Sequence, residues 1–237
     1  VRRDFSASEI ELMDTPGLDR EALRRDLENI ARLNRTFGAR RIVARLFRRL
    51  AGSRKRVTLV DLASGYGDHA RNLIGRSRAE GRDLAVVAVD FNFETLRIAR
   101  GATAPGAKLS FVQADARRLP FRDRSADLVF CSLALHHFSD DDALGVLREM
   151  RRVARIGTAC IDLARSRLAS WAIWALTTFI IRDPTVRHDA RLSIRRAFSA
   201  EELKGMAQEA GWPWRHLPVP LFQQAVTGGL ESEELEA

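Results

Sequence analysis

Three times in this chain a short uncharged run of mostly aliphatic residues ends in an aspartate, at 57–61, 84–90 and 109–115. A fourth apolar run spans 126–132, and a fifth has its core at 157–162. Helical patterns fill the intervals at 69–80, 93–100 and 140–152. Strands that are apolar throughout cannot leave one face in water, so they predict a parallel sheet covered by helices on both sides. The crossovers between such strands are right-handed. Two further strand candidates lie near 214–219 and 221–226, and Pro213, Pro218 and Pro220 place them at an edge or at bulges. The fold expected is therefore α/β: a Rossmann-like, doubly wound, seven-stranded, mostly parallel sheet whose last strand is antiparallel.

The flanks divide the chain further. Asp19 can cap a helix running through Leu23, Leu27, Ile30, Ala31 and Leu33, a second helix covers 42–50, and Gly52 breaks the pattern. Residues 1–52 read as an N-terminal helical lid and 53–237 as the main domain. Within that domain 163–197 is a helical insertion, first apolar and then rich in arginine. Ser199 and Glu202 form a capping-box pattern that opens a helix ended by Gly211, and the acidic tail 231–237 is expected to fray.

Charge narrows the function classes. The net charge is +8 and the pI about 10.7, which suits a nucleic-acid binder. Yet only Lys55, Lys108 and Lys204 are lysines, and the arginines are dispersed over helices among Asp and Glu. A solvated, arginine-rich surface explains that better than a nucleic-acid face; an anionic partner or a membrane surface is the alternative. Cys131 and Cys160 sit in apolar runs and read as small buried residues of a reducing compartment. No signal peptide is visible, and the longest uncharged run, 168–181, is short for a membrane span, so a cytoplasmic location is expected.

The turn after the first strand runs Asp61, Leu62, Ala63, Ser64, Gly65, Tyr66, Gly67. Glycines there allow a sharp turn and a close approach of backbone to ligand, and the following helix N-terminus favours an anionic group. The same residues fit the G-x-G-x-x-A dinucleotide fingerprint, with Asp90 placed to bind a ribose. Asp61 separates the readings: a carboxylate there repels a pyrophosphate and suits the ammonium of an amino-acid ligand. Asp115 can accept a hydrogen bond from the exocyclic amine of adenine. Each of these acids has a plainer alternative as a helix N-cap at a strand-to-helix turn.

In order and spacing these stretches, with Ser132, Leu133, His136, His137 and Phe138 after the fourth strand, resemble motifs I to IV of class I S-adenosylmethionine-dependent methyltransferases. The Leu-His-His-Phe segment is similar to that of the ubiquinone/menaquinone-biosynthesis methyltransferase group. Ala63-Ser64 stands where a Gly-Cys pair is common. A weaker resemblance, carried by the segment at 13–16 and by 193–198, is to bacterial methyltransferases associated with polyketide pathways. The resemblance implies S-adenosylmethionine as cofactor and a small-molecule acceptor. Asp61, Ala63, Gly65 and Gly67 would then surround the methionine moiety. Asp90 would hold the ribose hydroxyls, with Phe91 against the adenine and Asp115 and Ala116 at its edge. Ser132 and Leu133 would sit beside the sulfonium.

His136 and His137 lie at the active-site edge of such a sheet, and one of them could take a proton from an acceptor hydroxyl. Ser139 and the aspartates 140–142 read as a helix cap with a favourable first turn, so no metal is expected. Trp174, His188, Arg191 and Arg195 in the insertion are candidates for binding an aromatic acceptor with an acidic group; a packed helix with a solvated charged face and a peripheral membrane contact that collects a lipid-soluble quinone are the alternatives. The function expected is in-line methyl transfer to an aromatic, quinone-like or polyketide-like acceptor. A nucleic-acid methyltransferase and an NAD-binding protein are the competing readings.

Overall fold

The computed structural model describes residues 3–6, 9, 11, 19–179, 181, 183–211, 214–219 and 222–229. The expectations placed on 13–16, on the tail 231–237 and on Pro213 and Pro220 lie outside the described residues.

Two helices come first, α1 (Arg20–Thr36) and α2 (Ala39–Ala51). The expected cap is in place: the Asp19 carboxylate accepts from the N–H groups of Glu21 and Ala22, each at 3.1 Å. The alternating body follows as β1 (Arg56–Leu62), α3 (Asp68–Ala79), β2 (Asp83–Asp90), α4 (Phe93–Gly101), β3 (Leu109–Gln113), β4 (Ala126–Ser132), α5 (Asp140–Val153) and β5 (Ala154–Leu163). A 3-10 turn at Leu135–His137 joins β4 to α5. The insertion is a helical hairpin, α6 (Arg167–Phe179) and α7 (Pro184–Arg196). Then come α8 (Ala200–Glu209), β6 (Trp214–Val219) and β7 (Gln223–Gly229).

The strand order is β3-β2-β1-β4-β5-β7-β6. The first five are parallel, and β7 runs antiparallel between β5 and β6. This is the expected mostly parallel sheet with an antiparallel last strand, and β6, which contains Pro218, sits at the edge. Every residue of β4, the central strand, is buried, which is why its sequence shows no alternation. One face of the sheet packs Val60, Leu62, Val129 and Cys131 against Val146, Leu147 and Met150 of α5. The other packs Leu59, Val86, Leu128 and Phe130 against Phe47 of α2 and Leu73 of α3.

The reversal of strand order falls between β1 and β4, where the crossovers leave in opposite directions. Such a switch point opens a crevice at the carboxyl ends of the strands. Here α1 closes it from one side, with Leu23 and Leu27 packed on Ile98 of α4 and on Tyr66, and α7 closes it from the other.

Candidate functional site

The crevice is a cavity of about 1070 Å³. That is at the top of the roughly 300–1,000 Å³ usual for one small ligand, so it has room for two. Eleven of the twelve residues that the sequence assigns to cofactor or catalysis line it: Asp61, Ala63, Gly65, Asp90, Phe91, Asp115, Ala116, Ser132, Leu133, His136 and His137. Gly67 alone of that set is not on its wall.

Backbone geometry explains part of the sequence at this edge. Gly65 (φ +51°) and Gly67 (φ +70°) take left-handed conformations. At Gly65 a Cβ would meet nothing within 4 Å, so it is the turn, not crowding, that calls for glycine in the bare fold. Ala63 (φ 47°) and Leu133 (φ 56°) take the same conformation without being glycine. Strain of this kind at a ligand-facing edge costs about 1–2 kcal/mol per residue and is held by its surroundings. Here the holding bonds are Ser64 N–H to Val89 O (2.9 Å) and Leu133 N–H to Ile161 O (2.7 Å).

The cofactor end of the cavity is acidic. Burial first, and then the charges of Asp68 and Asp90, raise the Asp61 carboxyl to about 7. Among the described residues no donor reaches that carboxylate, whereas Asp68 pairs with Arg40 at 2.9 Å. Asp90 accepts from Gly65 N–H (2.8 Å) and Asn92 N–H (3.0 Å), and burial still moves its pKa upward against those bonds. The hydroxyls of Ser64 and Ser132 are buried without partners among the described residues, and both residues line the cavity. A carboxylate lacking a cation, two unspent hydroxyls and a glycine turn fit a ligand that is itself cationic and rich in hydrogen-bonding groups. S-adenosylmethionine, with its ammonium and sulfonium, is such a ligand. Phe91 is 74% exposed and offers a bare ring. Asp115 differs from expectation. Its carboxylate is gripped by the Arg117 guanidinium at 2.6 Å, which lowers its pKa and leaves fewer lone pairs for an adenine amine.

The other end holds a buried proton-handling cluster. His136 Nδ1 lies 2.6 Å from Asp162 Oδ1, and the His136 N–H donates to Asp162 Oδ2 at 2.8 Å. His136 Nε2 and His137 Nε2 converge on Glu11 Oε1 at 3.7 and 3.8 Å. The Ser193 hydroxyl donates to the same oxygen. Burial opposes a charge on His136, but Asp162 and then Glu11 outweigh it and raise that imidazole to about 10. Burial and the adjacent His136 charge lower His137 instead; its side chain keeps 30% of its surface exposed, and water contact moderates the fall. Burial pushes Glu11 up, yet the two imidazoles and the Ser193 hydroxyl bring it down to about 2. Adjacent in sequence, the two histidines are thus in opposite states.

Sequence reasoning missed Glu11, Asp162 and Ser193. Glu11 lies in a charged, aperiodic segment with no pattern to mark it. Asp162 ends β5 just as Asp61 ends β1, a parallel that could have flagged it. The ligand atoms of Glu11, His136 and His137 lie within 4.8 Å of one another, a grouping able to hold a metal ion; the sequence expectation of no metal did not include Glu11.

The four substrate candidates of the insertion are elsewhere. Trp174, His188, Arg191 and Arg195 line a separate outer groove of about 540 Å³ between α6 and α7. The face of α7 that lines the main cavity carries Val186, Asp189, Ala190 and Ser193. The residues named from the sequence thus face this outer groove and not the main cavity. Arg191 donates to the Thr177 and Thr178 hydroxyls, each at 2.8 Å, and Arg195 pairs with Glu9 at 3.0 Å.

A doubly wound sheet with β7 inserted antiparallel, carrying an acid-lined glycine turn at its switch point, defines an S-adenosylmethionine-binding transferase fold. Residues 41–157 match the family described as methyltransferase domain. The ubiquinone/menaquinone biosynthesis C-methyltransferase UbiE of Xanthomonas oryzae is 34% identical over 210 residues, covering 82% of this chain and 79% of its own. The UbiE protein of Xylella fastidiosa is 33% identical over 192 residues, covering 75% and 74%. The crystal structure of a SAM dependent methyltransferase from Aquifex aeolicus superposes with a TM-score of 0.57 at 19% identity, over 95% of this chain and 98% of that one. The chain belongs to the class I S-adenosylmethionine-dependent methyltransferases, and its cofactor is S-adenosylmethionine.

Proposed function

We propose that this methyltransferase acts on a small hydroxylated aromatic acceptor of quinone-like or polyketide-like type, and that His137 takes the acceptor's hydroxyl proton. The observation that carries the reading is the paired state of the two histidines: one held as an imidazolium between carboxylates, its neighbour kept neutral at the cavity wall.

The cofactor supplies an electrophilic methyl group on a sulfonium, so the protein's work is alignment, desolvation and removal of one proton. Both O- and C-methylation of a phenol begin with loss of that proton, which loads charge onto the oxygen or the ring. A neutral imidazole in reach of the hydroxyl performs it. The charge that His137 gains then lies 3.8 Å from Glu11, which stabilises it. Asp162 and His136 act as positioning residues, since neither has a proton-accepting atom free for the acceptor: His136 is already protonated and Asp162 is spent on it. Leu27, Ile30, Leu33, Phe138 and Val186 give the cavity apolar walls suited to a planar ring.

The names of the relatives, which refer to ubiquinone and menaquinone biosynthesis, support a quinone-like acceptor. A cavity walled by α1 and α7 suits a small molecule better than a nucleic acid, which needs a broad basic track. The test is release of S-adenosylhomocysteine over a panel of phenols, hydroquinones and resorcinols, with tRNA and amines as further arms. Turnover confined to the hydroxylated aromatics is expected; turnover of RNA or amines alone overturns the proposal.

A further inference from the structure

We infer that the α6–α7 hairpin is a peripheral docking surface for an anionic lipid bilayer. The inference stands on the outer face of the hairpin and is independent of which acceptor enters the cavity.

After Arg167, α6 carries no charged residue to its end. Its inner side packs Ala169 and Ile173 against Ile194 and Ala197. Its outer side is equally apolar and is bare: Leu168 is 65% exposed, Trp171 64%, Trp174 49% and Phe179 76%. The other exposed large hydrophobics, Phe91 and Phe93, lie at the cofactor end of the cavity. A helix that is apolar on both sides needs a second partner. Among the described residues no helix is long and apolar enough to cross a membrane, so the partner inferred for α6 is a surface along which it lies.

Charge selects the occupant. Residues 163–197 contain seven arginines against two aspartates. One of those aspartates, Asp189, is buried, and the other, Asp183, caps α7 with its side chain. Arg167 is exposed beside Leu168, and Arg187 lines the groove next to Trp174. Neither has a carboxylate partner among the described residues. A second copy of this chain would bring the same cations face to face and gains nothing electrostatically. Tryptophans and phenylalanine beside unpaired guanidinia match the boundary between anionic headgroups and acyl chains. The opposite face of α7 walls the main cavity, so docking through this hairpin leaves only the hairpin between the bilayer and the cavity.

The test is co-sedimentation of the full chain with vesicles of phosphatidylcholine alone and of phosphatidylcholine with phosphatidylglycerol, at low and at high salt. The expected result is binding to the anionic vesicles that falls with salt and is weak on the neutral ones. The triple variant Leu168→Ser, Trp171→Ser, Phe179→Ser should partition at least about ten-fold less, with affinity for S-adenosylhomocysteine within three-fold of the parent. A parent that stays in the supernatant with anionic vesicles at low salt overturns the inference, as does a triple variant that binds vesicles undiminished. So does a dimer in solution that the triple substitution splits, which would make the face an interface between copies.

Discussion

His136 and Asp162 are joined twice, by ring Nδ1 to Oδ1 at 2.6 Å and by backbone N–H to Oδ2 at 2.8 Å. The double contact fixes both the ring and the turn that carries it. It also makes His136 cationic, and burial first and that charge second lower the pKa of His137. Replacing Asp162 with Asn keeps the shape and leaves a buried imidazole without its main counter-charge. Breaking a buried pair in this way costs about 3–5 kcal/mol. The pH dependence has a definite sign. His136 is raised to about 10, so its contribution is complete below the unfolded value near 6.5 and is lost as pH rises through 10. Urea unfolding between pH 6.5 and 10 should show the parent losing stability across that window and Asp162→Asn losing much less. Parallel curves would count against the charge assignment.

Asp61 makes the opposite contribution. Its carboxyl is raised to about 7 against an unfolded value of about 3.9, so ionising it destabilises the cofactor-free protein increasingly from about pH 4 to pH 7. Asp61→Asn should raise the melting temperature of the cofactor-free protein at pH 8 and leave it nearly unchanged at pH 4. The same substitution should weaken S-adenosylhomocysteine binding, since the ammonium loses its counter-ion. A variant that binds the ligand as tightly as the parent would remove Asp61 from the cofactor site.

Ala63 holds a φ of 47° that glycine adopts without strain. Ala63→Gly should recover part of the roughly 1–2 kcal/mol penalty of that conformation, offset by the greater freedom of glycine in the unfolded chain. The net expectation is a melting temperature equal to or up to about 3 °C above the parent. A drop of several degrees would mean that the Ala63 methyl makes packing contacts worth more than its strain.

The proton-handling reading assigns Glu11, His136 and His137 to hydrogen bonds and charge, not to an ion. Dialysis against a chelator should leave turnover unchanged, and the purified protein should carry divalent metal well below one equivalent. Loss of turnover on chelation, restored by a divalent cation, would reassign the cluster as a metal site.

The sheet was legible because its strands announce themselves. β4 is buried throughout and β1 and β2 are largely buried, and at their carboxyl ends Asp61, Asp90 and Ser132 line the cavity, so hydrophobicity and chemistry change at nearly the same point in the sequence. Local signals also placed the caps at Asp19, Ser139 and Ser199, because a cap acts within three residues of itself. What could not be read is long-range. Glu11 reaches His136 across 125 positions, and nothing in its neighbours marks it. Which face of α7 meets the main cavity was not legible either, because arginine and apolar residues occur on both, and only packing against α6 decides it. Arg117 on Asp115 is a third case: a surface arginine two residues along changed what a motif aspartate can offer.

The most direct test of the account is the pH profile of methyl transfer by the parent and by His137→Asn on the best phenolic acceptor, with the S-adenosylhomocysteine Kd measured alongside. The account predicts a fall in kcat of about 10²–10⁴-fold for the variant, a Kd within about three-fold of the parent, and a parent profile whose acid limb lies below the ordinary imidazole range because His137 is held neutral. A variant that turns over at the parental rate with an unshifted profile would contradict it.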